Sequence, residues 1–209
     1  MTRIQHPKSK SSLWALFGGI LAAAAVAWGS FYFSRTQENK VVERDHWVEL
    51  PVPPDKQLRR QLSPEQYLVT RQNGTETAFR NAYWDNKRPG IYVDIITHEP
   101  LFSSTDKFDN GIGWPSFTKP LEPENVLQKI DQRYNMTRTQ LVARTSGSHL
   151  GHLFNDGPPP TGLNYQVNSA ALRFVPVEKF KEEGYGMYLP LFEQSTPTPP
   201  PAPAPPNSR

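Results

Sequence analysis

The chain reads as a mainly β domain built of antiparallel sheet with a few short helices, preceded by one N-terminal apolar span. Short β-branched and aromatic runs such as Ile91–Ile96, Arg138–Arg144 and Ala171–Val177 alternate with Gly, Pro, Asn and Asp turns. That is the pattern of antiparallel sheet and not of βαβ units. Leu13–Phe33 contains 21 residues and no charge, enough to cross roughly 30 Å of hydrocarbon as a helix. A content of 36% hydrophobic and 11% aromatic residues over 209 positions is that of one well-buried domain with additional segments.

Taken in order, residues 1–12 are polar and carry Arg3, Lys8 and Lys10, a cationic flank that keeps an N-terminus in the cytoplasm and sends the downstream chain across the membrane. Residues 13–33 then form a transmembrane signal-anchor, with Trp28, Phe31, Tyr32 and Phe33 as an interfacial aromatic belt. A cleaved signal peptide competes, because Ala25-Val26-Ala27 fits a small-residue cleavage site. The apolar run continues past Ala27 to Phe33, which favours the anchor. Residues 34–57, with Pro51, Pro53 and Pro54, read as a connector whose stretch His46–Leu50 is placed to dock on the domain.

The domain proper runs over 58–192. Ser63-Pro64-Glu65-Gln66 is a helix start: Ser63 caps, Pro64 takes the first helical position and Gln66 closes a capping box. Gly74 is expected to end that helix, with Tyr67 and Leu68 facing the core. Short helices are expected near Glu122–Gln128 and Val177–Glu183. Residues 193–209 form a Pro-rich, disordered tail that samples polyproline II without a core of its own.

Composition excludes several functions. The net charge of +3 is spread among interspersed acids and bases, so there is no nucleic-acid footprint. Zero cysteine excludes disulfides, thiolate metal sites and thiol chemistry. His149 and His152 lack a third ligand and any HExxH arrangement, so no metal and no other cofactor is expected.

The chemistry-bearing stretch is Ser148–Phe174, SHLGHLFNDGPPPTGLNYQVNSAALRF. Two histidines sit three residues apart on a Gly-rich turn, a Pro-Pro-Pro turn follows, and Leu163–Phe174 alternates as a strand does. Together with YWDNKRPGIYVDI (Tyr83–Ile95) and EPLFSSTDKFDNGIGWPSF (Glu99–Phe117), this stretch closely resembles the B-type methionine sulfoxide reductases, which reduce the R epimer of methionine sulfoxide. The similarity runs from about Leu58 to Phe192 and implies a fold of two antiparallel sheets.

The departures fall on the chemistry. The family's nucleophile lies in Arg-Tyr-Cys-x-Asn-Ser, which here reads Asn164-Tyr165-Gln166-Val167-Asn168-Ser169. The nucleophile position is Gln166, the flanking Arg is Asn164, and the recycling cysteine is Ile112. A carboxamide is neither nucleophilic nor redox active. The resemblance further implies a substrate pocket of Trp114, His149, His152, Phe154 and Asn168, in which imidazoles polarise the sulfoxide oxygen and Trp114 receives the methyl group. The two Cys-x-x-Cys pairs that hold a structural zinc in some members correspond to Asp94 with Thr97 and Ala143 with Ser146. Asp156 or Asn155 is expected to brace the histidine segment.

These observations give a membrane-anchored reductase-like domain without the reaction, a pseudoenzyme. It is expected to act as a binding or structural module at the inner membrane, single-pass, with the main domain in the periplasm or otherwise outside the cytoplasm. Expected partners are a methionine-sulfoxide-containing protein or a cell-envelope complex. The competing functions are a non-catalytic reader of oxidised methionine and an active peptide-methionine (R)-S-oxide reductase.

Overall fold

Ser63 opens a helix as its side chain and that of Gln66 require. Its hydroxyl accepts the Gln66 N–H at 3.1 Å and the Gln66 carboxamide accepts the Ser63 N–H at 2.9 Å, the reciprocal capping box. The computed structural model describes residues 50–193, so the apolar span, most of the connector and the Pro-rich tail lie outside the described residues. Among the described residues no helix is long and apolar enough to cross a membrane. Helix α1 (Asp55–Gln61) begins inside the stretch read as connector and buries Leu58 against Tyr67 and Ile96. The Leu50 N–H donates to Thr97 O at 2.9 Å, so the described end of that stretch docks on the domain, and residues 46–49 lie outside the described residues.

Helix α2 (Pro64–Gln72) ends one residue before Gly74, on Asn73 at φ 56°, the left-handed conformation that Asn tolerates. Gly74 serves a different need, because a Cβ there would lie 2.6 Å from Leu68 Cγ. Leu68 itself is 44% exposed, against expectation. The inward face is Tyr67, Val69 and Thr70, because the 3.6-residue period leaves Leu68 on the outer side.

Two antiparallel sheets follow. One has the order β2-β1-β9, from β1 (Gly90–Asp94), β2 (Pro100–Ser103) and β9 (Leu172–Pro176). The other contains β3 (Lys107–Phe108), β4 (Ser116–Phe117), β5 (Val126–Asp131), β6 (Arg138–Ala143), β7 (His149–Phe154) and β8 (Asn164–Val167), in the order β3-β4-β8-β7-β6-β5. Every residue of β1 is buried. Tyr92 faces the inter-sheet core with Phe117 (ring centroids 5.1 Å apart) and Phe174 (5.0 Å). Ile91 and Val93 face Phe180, Tyr185 and Tyr188 from the C-terminal turns. Full burial of such side chains stabilises by about 1.5–3 kcal/mol each.

Two sequence expectations need correction. Leu163–Phe174 is not one strand: β8 stops at Val167, Ser169–Ala171 forms a 3-10 turn, and β9 resumes in the other sheet. The break is held by the buried Glu76 carboxylate, which accepts the N–H groups of Ser169 (2.5 Å) and Ala170 (2.8 Å). Glu122–Gln128 is not a helix but a 3-10 turn, Pro123–Asn125, leading into β5, which pairs with β6 from Val126↔Ala143 to Asp131↔Arg138. Strand pairing over six residues outweighs the weak local helix signal. The expected helix near Val177–Glu183 is present as a 3-10 turn continuing into α3 (Phe180–Glu183), which Gly184 ends at φ 84°. A last short helix, α4 (Pro190–Glu193), completes the described chain.

Candidate functional site

His149 and His152 lie on strand β7 and not on a turn. The glycine between them misleads, because Gly151 is required by strand approach: a Cβ there would fall 2.0 Å from Gln166 O. The close approach puts Gln166 between His152 of β7 and Ser116 of β4, and His152 in turn faces Gln140 of β6. A polar row, Ser116–Gln166–His152–Gln140, therefore crosses four strands, while Tyr165 and Val167 on either side of Gln166 enter the core.

Gln166 borders a small cleft with Thr75, Trp114, His152 and Asn168, of about 30 Å³, the space of a single water or little more. Trp114 is fixed by its indole N–H, which donates to Glu76 O at 3.2 Å. Asn168 is engaged at both amide atoms: its Nδ2 donates to Leu150 O at 2.9 Å and its Oδ1 accepts the Glu76 N–H at 3.1 Å. Its amide holds the loop before Phe79 onto β7 and has little left for a ligand. Gln166 forms no side-chain hydrogen bond among the described residues. It is the one carboxamide of the cleft with its donors and acceptor unused.

The imidazoles are held from behind. His152 Nε2 lies 2.8 Å from Asp131 Oδ2, and Asp131 also accepts from Arg133 Nε (2.8 Å) and Arg138 Nη2 (3.0 Å). The Arg133 guanidinium first, and His152 next, hold the Asp131 carboxyl well below the usual carboxylate range. His152 is nevertheless lowered from its ordinary value, because burial outweighs the carboxylate. His149 is 1% exposed, and burial, reinforced by His152, pulls it down to about 4. The Gln140 amide nitrogen lies 2.8 Å from His149 Nδ1 and donates also to Asn73 Oδ1 at 2.9 Å, so His149 carries its proton on Nε2. Both rings are neutral at pH 7. With its N–H turned to Asp131, His152 offers Nδ1 as an acceptor.

The structure thus brings Trp114, His152, Gln166 and Asn168 to one cleft and sets His149 and Phe154 beside it, their rings 5.3 and 6.4 Å from that of His152. Asn164 is fully buried and donates to Asp156 Oδ1 at 2.9 Å, which ties Asp156 to the start of β8. Ile112 lies on a loop at 37% exposure. Glu76 has no counterpart in the sequence reading: its backbone holds Trp114 and Asn168, its carboxylate caps the turn after β8, and burial pushes it up to about 7. A lone acid among threonines carries no pattern that separates it from a solvated one.

The positions matched to zinc cysteines form two facing turns. Asp94 Oδ2 accepts from the N–H groups of Ile96 (3.0 Å) and Thr97 (2.8 Å) and from Thr97 Oγ1 (3.0 Å). Asp94 Oδ1 has no partner among the described residues, the Ser146 hydroxyl being turned to Ser148 Oγ at 2.7 Å. One carboxylate, two hydroxyls and a methyl do not fit zinc's preference for sulfur and imidazole, and no group of three metal-ligating side chains gathers among the described residues.

A two-sheet antiparallel domain with a tryptophan, two histidines and an asparagine ranged about one β-strand position has the frame of a methionine-R-sulfoxide reductase domain. The chain belongs to the SelR-domain family, the B-type methionine sulfoxide reductases, whose pattern matches residues 62–176. It is 55% identical over 141 residues to the peptide methionine sulfoxide reductase MsrA/MsrB of Vibrio cholerae, an alignment covering 68% of this chain and 37% of that protein. The chain therefore spans well under half the length of this relative.

Proposed function

We propose that this is a catalytically inactive member of its family, held at the inner membrane by residues 13–33, with its folded domain outside the cytoplasm as a binding or structural module of a cell-envelope assembly. The observation that carries the inactivity is Gln166 on β8, at the matched nucleophile position beside His152 and Trp114, in a chain with no cysteine. Reduction of a sulfoxide needs a group that attacks sulfur and is itself oxidised, and a carboxamide does neither. The anchor rests on the uncharged run Leu13–Phe33 behind its cationic flank. The test is turnover of methionine-R-sulfoxide with dithiothreitol: none for this chain, and measurable turnover for Asn164→Arg/Gln166→Cys. Turnover by the unaltered chain refutes the proposal.

A second reading, a reader of oxidised methionine on another protein, draws on the unused carboxamide of Gln166 beside the Trp114 ring. An amide N–H is a donor to a sulfoxide oxygen, and a ring edge suits a sulfur-bound methyl. Titration with a methionine-R-sulfoxide peptide then gives saturable binding that Trp114→Ala weakens at least tenfold. No binding at millimolar peptide removes this reading and leaves the structural one.

A further inference from the structure

A second concavity shares no residue with the Gln166 cleft. It is a groove of about 840 Å³ between the Trp84–Pro89 loop and the Ser104–Asp109 segment, with Trp84, Pro89, Phe108 and Phe192 as its apolar lining. That volume lies in the range of ligand-binding pockets. Its aromatic wall is set in advance: Lys107 Nζ donates to Trp84 O at 2.9 Å, and Phe79 stacks edge-on against the indole with centroids 5.3 Å apart.

The groove carries acceptors at its edge, Asp85 and Asp109, and unspent donors beside its aromatic wall. Among the described residues the Trp84 indole N–H has no partner, and Lys107 keeps N–H groups beyond the one it gives to Trp84 O. A ligand complementary to this lining presents apolar rings together with carbonyl oxygens that have no internal partner. A polyproline II segment is such a ligand, because proline has no N–H to satisfy and its carbonyls are free along the whole helix.

The chain supplies that segment next to the groove. Phe192, on α4, is one of the lining residues, and five residues on, the sequence runs Pro197-Thr198-Pro199-Pro200-Pro201-Ala202-Pro203-Ala204-Pro205-Pro206. Ten residues reach about 31 Å at ~3.1 Å each in polyproline II, ample to turn back and cross the groove. A tether this short gives an effective concentration on the order of millimolar, so a weak intrinsic affinity suffices. We propose that the groove lined by Trp84, Phe108 and Phe192 is a polyproline II site occupied by Pro197–Pro206 of the same chain.

The absence of cysteine makes the test direct. Lys87→Cys on the rim and Ser208→Cys beyond the prolines are spin-labelled on the full chain in detergent, and the distance distribution between the labels is recorded by electron double resonance. The expected result is one narrow peak, independent of protein concentration, that broadens at least twofold with Trp84→Ala. Pro199→Gly/Pro200→Gly/Pro201→Gly is expected to broaden it equally, and that variant leaves the apolar lining of the groove in place. A distribution already broad and unmoved by either change overturns the proposal. So does the same narrow peak on mixing chains that each carry one label, which assigns the groove to a second copy.

Discussion

Two regions of this domain, the facing turns 94–99 and 143–148 and the cleft at Gln166, are bonded differently. At the facing turns the side chains form a completed strap. The buried Glu99 accepts the Thr145 N–H and hydroxyl, both at 3.0 Å, and Arg71 donates to Ser146 O at 2.9 Å. The Glu99 bonds tie the turn joining β1 to β2, in one sheet, to the turn joining β6 to β7, in the other, and Arg71 ties that second turn to helix α2. At the cleft nothing was completed: Gln166 keeps an unused carboxamide beside a space of about 30 Å³. A cross-link between sheets bears on stability whatever atoms make it. A side chain without a bonding partner leaves its strand to be held by the backbone.

The sharpest way to break this contrast is Glu99→Ala. It deletes both bonds to Thr145 and leaves the partly buried Thr145 N–H without its acceptor, a loss of about 3 kcal/mol. Denaturant unfolding of the variant beside the unaltered chain measures it. A loss under about 1 kcal/mol means that Glu99 is not the strap.

A pH series sharpens the cleft side of the comparison. His149 titrates near its ordinary value of 6.5 when unfolded and at about 4 when folded. Between those values the unfolded chain holds the extra proton, so the stability His149 confers is full above about pH 6.5 and is lost as pH falls toward 4. The slope is about 1.4 kcal/mol per pH unit. Glu76, raised from 4.5 to about 7, works oppositely: its folded form holds the proton between those values, so its contribution falls as pH rises. The two partly cancel in the unaltered chain. The difference in stability between the chain and His149→Gln isolates the imidazole, and it should shrink steadily from pH 6.5 to 4. A difference independent of pH rules out a neutral, buried His149.

Gly151→Ala probes the approach that brings Gln166 beside His152. With a Cβ 2.0 Å from Gln166 O and 2.9 Å from Val167 Cα, β7 and β8 must separate, at a cost of about 1–3 kcal/mol. Amide exchange then rises at the β7–β8 pairs Gly151↔Val167 and His152↔Gln166. Unchanged protection there means the strands accommodate the methyl without moving.

Much of this was legible in the residues, for identifiable reasons. The capping box at Ser63–Gln66 and the β1, β6 and β9 runs are local signals that tertiary packing left alone. The Leu163–Phe174 break was hidden because its cause, the Glu76 carboxylate, lies more than ninety residues away in sequence. Gly151 read as a turn because a glycine required by a neighbouring strand looks like one required by φ. The members of the cleft came from family resemblance. Their division of labour, with Asn168 engaged on backbone and Gln166 unspent, is set by the tertiary fold and leaves no mark in the local sequence.

The smallest expected effect completes the contrast. Gln166→Ala removes a side chain whose neighbours are bonded elsewhere: Ser116 Oγ receives Asn110 Nδ2 at 2.6 Å, and His152 keeps Asp131. No buried donor or acceptor is orphaned, the residue is only half-buried, and the strand bonds of β8 belong to the backbone. The change in unfolding free energy is therefore within about 0.5 kcal/mol. Thermal and denaturant unfolding beside Glu99→Ala measure it under identical conditions. A loss above about 1 kcal/mol makes Gln166 a structural member of β8, and the two regions then cease to differ in kind.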